Sequence, residues 1–194
     1  MEYTPNHNTP HTSFEINGRR YNAKSIKNLA FNHVANGSQN EIQLGNFILE
    51  WVNDIDFIAI QTSGTTSTPK VIRIPKASFI NSAKATATFF GLVAGDSALC
   101  CLPFSFIAGK MMFVRAWVLG LKLDVIEPSS YPLEHLSEKF YDFSAMVPLQ
   151  LQNSISKINQ IKTLLVGGAS VSEALALKLK GHTTTVFETF GMTE

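Results

Sequence analysis

The 194-residue sequence is poor in charge, in cysteine and in long uncharged apolar runs, and each shortage excludes a class of protein. Charged residues make up only 16% of the chain and the net charge is +1, which argues against a nucleic-acid-binding surface. Hydrophobic residues reach 45%, which excludes a disordered chain. The two cysteines, Cys100 and Cys101, are adjacent. On a strand they would point to opposite faces, so we expect reduced, buried thiols.

The sequence also has no obvious targeting or membrane segment. The first 14 residues, MEYTPNHNTPHTSF, are polar and have no apolar core of a signal peptide. The most apolar stretch, 107–125, carries Lys110, Arg115 and Lys122, so we do not expect it to span a membrane. We therefore expect a cytoplasmic protein with no membrane span and no nucleic-acid partner. The sequence leaves open whether it forms a homodimer.

Short apolar runs alternate with helical patterns along the chain, which predicts an α/β fold with a mostly parallel sheet flanked by helices. Asn17-Gly18 predicts a hairpin turn, and Ser38 with Glu41 predicts the start of a helix. Further strands are predicted at 56–61, 71–74, 97–103, 121–127, 143–148, 161–168 and 184–191, and helices at 38–54, 75–91, 107–120, 132–140, 149–156 and 172–181. Ligands bind at the carboxyl ends of such strands.

One loop between two predicted strands is unusually rich in hydroxyl groups. Its sequence, QTSGTTSTPK, combines hydroxyl donors with a glycine, which lets backbone N–H groups approach an anion, and a lysine, which adds a mobile positive charge. These features suit a pyrophosphate group. The loop is not the phosphate loop of nucleoside triphosphatases, because Pro69 replaces the second glycine and Val71 replaces the Ser or Thr that would hold magnesium. The alternative is an ordinary polar turn.

The string TSGTTSTPK resembles the phosphate loop of the adenylate-forming enzymes, which include acyl-CoA synthetases, peptide-synthetase adenylation domains and luciferases. Ser67 stands where that family usually has glycine. Two further segments resemble the family in the same order: LVGGASVSEAL at 165–175 and FETFGMTE at 187–194. The resemblance implies a partial N-terminal domain of the adenylate-forming fold. Residues 1–55 would form a shortened N-terminal region, 56–194 the ATP- and acyl-binding part, and the C-terminal cap domain would be absent from this chain.

The same resemblance implies the roles of particular residues. Lys70, Thr193 and Glu194 would be catalytic, with Glu194 as the ligand of Mg²⁺ and Thr193 bound to the α-phosphate. Phe190 would stack on adenine. The implied nucleotide-binding residues are Thr62, Ser63, Gly64, Thr65, Thr66, Lys70, Gly168, Ala169, Phe190, Gly191, Met192 and Thr193. The segment LPFSFIAG at 102–109 resembles the entrance to the acyl pocket, with Phe106 where many members have histidine. The implied substrate-binding residues are Ser105, Phe106, Gly109, Lys110, Arg115 and Gly167.

The activity that the resemblance implies is ATP-dependent activation of a small carboxylic acid. The acid would form an acyl-adenylate and then a thioester with coenzyme A, with Mg²⁺ as the metal. Within the family, the short N-terminal region and the segment 102–125 most resemble the o-succinylbenzoate–CoA ligases of menaquinone biosynthesis. Lys110 and Arg115 lie five positions apart, about 140° around a helix, so one of them could meet the second carboxylate of a dicarboxylic acid. Both could instead reach solvent.

Two alternatives remain open at this stage. An adenylation domain that loads an amino acid onto a carrier protein would need an acidic residue in the acyl pocket, and the sequence has none between Leu99 and Lys122. The other alternative is a nucleotide-binding fragment without turnover.

Overall fold

The fold centres on a seven-stranded sheet, seen in a computed structural model that describes residues 3–61, 71–136 and 138–190. The strands, in chain order, are β1 (Glu15–Ile16), β2 (Arg19–Arg20), β3 (Phe57–Gln61), β4 (Val71–Pro75), β5 (Ser97–Cys100), β6 (Lys122–Val125), β7 (Tyr141–Met146), β8 (Ile161–Val166) and β9 (Thr185–Glu188). The sheet has the order β2-β1-β6-β5-β7-β8-β9, and every neighbouring pair except β1–β2 is parallel. The predicted α/β architecture is therefore confirmed.

Helices cover both faces of this sheet and enclose two cores. They are α1 (Ala23–Asn36), α2 (Gln39–Trp51), α3 (Lys76–Phe90), α4 (Ile107–Leu119), α5 (Pro148–Ser154), α6 (Glu173–Lys178) and a 3₁₀ helix at Ile155–Gln160. Successive side chains of β5 and of Cys101, the residue after it, alternate between the cores: Ala98 and Cys100 face α1–α4, whereas Leu99 and Cys101 face α5 and α6. The two thiols are free and buried on opposite faces, as predicted.

Strands β3 and β4 do not belong to the seven-stranded sheet and form a separate antiparallel hairpin. Ile58 and Ile60 of β3 are buried, while Ala59 between them is exposed. The sequence predicted both strands, but not that they would form a sheet of their own. Gln61 is paired with Val71, so the hairpin brings together the two ends of the segment 62–70.

The sequence analysis misjudged helix formation at two places. Residues 132–140 were predicted as a helix, and this is wrong, because residues 132–135 form a turn that follows Tyr131. Leu133 is buried in the second core, so tertiary packing overrides the weak local helical preference. Conversely, α1 is a helix that the sequence analysis did not predict. Asn22 caps this helix in a reciprocal capping box with Ser25.

The Asn17-Gly18 turn is present as predicted, with φ values of 48° and 74°. Positive φ at both central residues gives the hairpin turn that matches strand twist. No helix within the described ranges 3–61, 71–136 and 138–190 is long and apolar enough to cross a membrane.

Gln150 ties together the segments that leave the carboxyl ends of three strands. Its side-chain amide is buried and donates to the carbonyl oxygens of Cys101, 3.0 Å away, and Ser129, 2.9 Å away. Its Oε1 accepts from the N–H of Val147 at 3.1 Å. These groups follow β5, β6 and β7, so one side chain fixes the spacing of their exits from the sheet.

We expect Gln150→Leu to lower the free energy of unfolding by about 2–4 kcal/mol, because one partly buried N–H and two carbonyl groups lose their partner. Gln152→Leu is a matched control, since Gln152 is exposed on the same helix. Urea unfolding of both variants measures the difference. Equal stabilities would show that water replaces Gln150 without cost.

Candidate functional site at the carboxyl edge of the sheet

The carboxyl ends of β7, β8 and β9 lie in one row, joined by backbone hydrogen bonds. The N–H of Gly167 donates to the carbonyl of Met146 at 3.1 Å, and the N–H of Thr189 donates to the carbonyl of Val166 at 2.7 Å. The turn after β8 therefore lies directly between the exits of β7 and β9. This is the edge at which parallel sheets bind ligands.

The turn at Gly167 and Gly168 passes too close to β9 for a side chain. A Cβ atom added to Gly167 would lie 2.7 Å from Oγ1 of Thr189, and Gly168 has a φ of 85°, which side chains rarely adopt. Both glycines are thus required by the shape of this turn. With Ala169 they are three of the residues that the sequence analysis placed at the site, and the structure puts them at the carboxyl edge.

The chain after this turn is fixed to β9 and then enters α6. The N–H of Val171 donates to Oε1 of Glu188 at 2.9 Å, and Ser172 caps α6 by accepting from the N–H of Leu175. Phe190, two residues beyond Glu188, is 94% exposed. Such an exposed aromatic ring, on the residue that follows Thr189, offers a flat apolar face at the edge of the site.

The predicted acyl-pocket segment is held in place by α2. The backbone N–H of Phe104 donates to Oδ1 of Asn40 at 3.2 Å, and the N–H of Ser105 donates to Oε1 of Gln43 at 3.1 Å. Asn40 is buried although it is polar. Neither Asn40 nor Gln43 was identified from the sequence. The sequence did contain one signal: Asn40 is a polar residue at a position that falls on the apolar face of an amphipathic helix.

Three residues at the start of α4 have different surroundings. Ser105 is exposed, and Phe106 immediately before the helix is 59% exposed, which leaves its ring free for contact. Gly109 is buried, and a Cβ atom there would lie 2.4 Å from the carbonyl oxygen of Pro103. Close packing of α4 against the preceding segment therefore accounts for Gly109.

Lys110 and Arg115 point to opposite sides of α4. The ammonium of Lys110 lies 5.4 Å from the ring centre of Phe47 on α2. Burial lowers its pKa, and the nearby Glu50 carboxylate opposes that shift. The structure thus does not bring the two cations together, in agreement with their helical spacing.

Arg115 is partly buried between α3, α4 and the sheet. Its Nε donates to Oγ1 of Thr86 at 3.2 Å, and its guanidinium carbon lies 5.7 Å from the ring centre of Phe143. Burial lowers the pKa of Arg115 to about 10, so the group stays charged at neutral pH. Among the described residues, no carboxylate forms an ion pair with it.

The remaining predicted site residues lie outside the described ranges. They are Thr62, Ser63, Gly64, Thr65, Thr66, Lys70, Gly191, Met192, Thr193 and Glu194. Within the part of the chain that the structure describes, no group of three or more His, Cys, Asp or Glu side chains could hold a metal ion. Glu194, the predicted magnesium ligand, was not part of that search.

A cavity of about 410 Å³ lies at the opposite edge of the sheet. Its lining includes Ser97, Tyr141 and Lys162, which stand at the amino ends of β5, β7 and β8. This cavity is therefore separate from the row of exits formed by Val147, Gly167 and Thr189.

Comparison with known proteins identifies the family of this chain. A family model described as AMP-binding enzyme matches residues 35–194, which is more than half of the chain. The chain belongs to the AMP-binding enzyme family. This confirms the resemblance to adenylate-forming enzymes that the sequence motifs indicated.

Curated relatives within the AMP-binding family include 2-succinylbenzoate–CoA ligases. The enzyme from Oceanobacillus iheyensis is 25% identical over 146 residues, which cover 71% of this chain and 30% of the relative. The enzyme from Bacillus cereus is 23% identical over 188 residues, which cover 92% of this chain and 38% of the relative. The chain thus spans between 30% and 38% of the length of these relatives.

Solved structures share the same fold. An acyl-CoA synthetase (AMP-forming)/AMP-acid ligase II-like protein from Dyadobacter fermentans matches with a TM-score of 0.75 and 34% identity, over 86% of this chain and 49% of that chain. The o-succinylbenzoate coenzyme A synthetase from Bacillus subtilis, in complex with ATP and magnesium ion, matches with a TM-score of 0.63 and 24% identity, over 70% of this chain and 30% of that chain.

We expect Gly167→Ala to cost about 1 kcal/mol of stability, because Thr189 must rotate away and lose its hydrogen bond to the carbonyl of Val166. Thr189→Ala removes the obstructing hydroxyl. The cost of Gly167→Ala should therefore vanish in the Thr189→Ala background, and thermal unfolding of the four proteins measures this coupling. Additive costs would show that the two residues do not interact.

Proposed function

We propose that this chain is the nucleotide- and acid-binding part of an acyl-CoA synthetase, an acid–thiol ligase. The observation that carries the proposal is the Gly167-Gly168 turn at the carboxyl edge of the sheet, packed against Thr189, with the exposed ring of Phe190 on the next residue. A turn without side chains lets a flat ligand lie against the backbone, and the ring supplies a stacking surface. Both features fit an adenine base.

Each of the predicted residues has its own role in the proposed reaction. Phe190 stacks on adenine, while the backbone of Gly167, Gly168 and Ala169 borders the base and the acid. Lys70 and the hydroxyls of 62–66 hold the phosphates, and Thr193 binds the α-phosphate. Mg²⁺, held by Glu194, would neutralise charge on the departing pyrophosphate.

In the first step, a carboxylate oxygen of the acid attacks the α-phosphorus of ATP, and the bond to pyrophosphate breaks. In the second, the thiolate of coenzyme A attacks the acyl carbon and AMP leaves. Carboxylate and triphosphate repel each other in water, so positioning supplies much of the rate enhancement. The thiols of Cys100 and Cys101 play no part, since burial raises both pKa values, that of Cys100 to about 12.

Arg115 supports a dicarboxylic acid such as o-succinylbenzoate as the substrate. A partly buried guanidinium without a carboxylate partner is costly, and an anionic group of the substrate would offset that cost. Lys110 is less suited, because it already has the Glu50 carboxylate and the Phe47 ring as neighbours. Arg115 is therefore the residue that we assign to the second carboxylate.

The reaction is tested by pyrophosphate release from ATP and Mg²⁺ in the presence of single acids. The panel contains o-succinylbenzoate, acetate, benzoate, a medium-chain fatty acid and an amino acid, and the assay uses this chain and any longer chain that contains it. We expect release with o-succinylbenzoate, and at least a ten-fold slower rate for Lys70→Ala, the loss expected when one charge-assisted contact is removed. Release driven by an amino acid would favour a carrier-loading enzyme. The absence of pyrophosphate release with every acid would refute the proposed reaction.

We expect Arg115→Met to raise the KM for o-succinylbenzoate by roughly 10- to 100-fold, as for a lost charge-assisted hydrogen bond. The KM of an analogue without the second carboxylate should change little. Lys110→Met is the matched control, because it removes a cation from the same helix. If Lys110→Met rather than Arg115→Met loses this discrimination, the assignment of the second carboxylate passes to Lys110.

A further inference from the structure

The outer edge of the β3–β4 hairpin is held by one side chain of α2. Ala59 is paired with Arg73 of β4, but its backbone N–H points away from β4 and donates to Oε1 of Glu50 at 3.1 Å. Such edge groups are ordinarily left to solvent. Here a carboxylate from the last turn of α2 accepts the bond, so the hairpin is connected to the helical layer.

A second connection joins the same hairpin to the turn that follows α2. Lys76, the first residue of α3, comes directly after β4 and is 1% exposed. Its Nζ donates to the carbonyl oxygen of Asn53 at 2.8 Å and to Oδ1 of Asn53 at 3.0 Å. Its backbone N–H donates to the carbonyl of Asp56 at 2.7 Å. The segment 50–56 thus holds the outer edge of β3 and the end of β4.

Glu50 also lies within electrostatic range of two cations. Burial lowers the pKa of Lys76 and of Lys110, and the Glu50 carboxylate opposes both shifts. Lys76 stands at the base of the hairpin, and Lys110 stands on α4 beside the predicted acyl pocket. The Glu50 carboxylate therefore acts electrostatically on a cation at the base of the hairpin and on a cation of α4.

We propose that Glu50 is a positioning residue that fixes the β3–β4 hairpin on α2, and thereby fixes the two chain ends, at Gln61 and Val71, from which the phosphate-binding segment departs. Its hydrogen bond to Ala59 does this directly. Glu50 contacts neither nucleotide nor acid in this role. The effect on ATP rests on the function proposed above, whereas the effect on the hairpin does not.

Two variants separate the hydrogen bond from the charge. Glu50→Gln keeps an oxygen that can accept from Ala59 but removes the charge, and Glu50→Leu removes both. Hydrogen–deuterium exchange of peptides covering 57–61 and 71–75 reports the anchor. Calorimetric titration with MgATP reports nucleotide affinity, and urea unfolding reports global stability.

For Glu50→Leu we expect about ten-fold faster exchange in these peptides and a roughly ten-fold higher Kd for MgATP, the factor that corresponds to one hydrogen bond with a charged acceptor. Glu50→Gln should restore both values to within about two-fold of the wild type. In the assay with o-succinylbenzoate, the KM of the acid should change less than that of ATP. A purely structural role would instead lower global stability and affect both substrates equally.

Three outcomes would overturn the inference. The first is unchanged exchange in Glu50→Leu. The second is faster exchange with unchanged MgATP affinity in a chain that binds MgATP. The third is a Glu50→Gln variant as impaired as Glu50→Leu. If the wild-type chain does not bind MgATP at all, the proposed function fails, while the exchange data still decide whether Glu50 anchors the hairpin.

Discussion

The site depends on the backbone hydrogen bonds that continue the parallel sheet beyond its last residues. The N–H of Gly167 reaches the carbonyl of Met146, and the N–H of Thr189 reaches that of Val166, so the chain segments leaving β7, β8 and β9 stay in register after the strands end. Without these bonds, the position of the glycine turn relative to the chain at Phe190 would not be fixed. Gln150 extends the same constraint to the segments that follow β5 and β6. The edge is thus preorganised before any ligand arrives, which is the condition for positioning to contribute to rate.

The buried cation Lys76 and the partly buried cation Arg115 differ in how far the chain compensates their charge. The Nζ of Lys76 donates to two oxygens of Asn53 and Glu50 is nearby, so the burial of this charge is compensated within the chain. Arg115 has a hydroxyl, a thioether and an aromatic face, but no ion-paired carboxylate within the described residues. The first arrangement is that of a structural anchor. The second fits the proposal that Arg115 binds an anionic group of the substrate, because a partly buried cation gains most from a partner of opposite charge.

Periodicity and motif order predicted the alternation of strands and helices, the carboxyl-edge location of 167–169 and 190, and the opposite orientations of Cys100 and Cys101. These features follow from local rules: two-residue alternation in strands, 3.6-residue periodicity in helices, and ligand sites at strand ends. The separate hairpin of β3 and β4 could not be predicted in this way, because an apolar run does not specify its partner. The contacts of Asn40, Gln43 and Glu50 were also missed, since a polar residue on a helix shows nothing of the remote backbone group that it binds. The helix prediction for 132–140 was wrong for a related reason, because burial of Leu133 outweighs the local helical preference.

Helix α2 connects these missed contacts. Asn40, Gln43 and Glu50 lie within about 80° of one another around the helix axis, on the same side as Phe47. Asn40 and Gln43 hold the segment that is predicted to line the acyl pocket, and Glu50 holds the hairpin that flanks the predicted phosphate-binding segment. A rise of about 1.5 Å per residue separates the two sets of contacts by roughly 10–15 Å along the axis of one helix. The proposed reaction brings an acid and a triphosphate together in line, which requires a fixed distance between the segments that would bind them. A single helix with acceptors near both ends sets that distance more reproducibly than two loops could, since a misplacement of about 1 Å is enough to reduce the rate substantially.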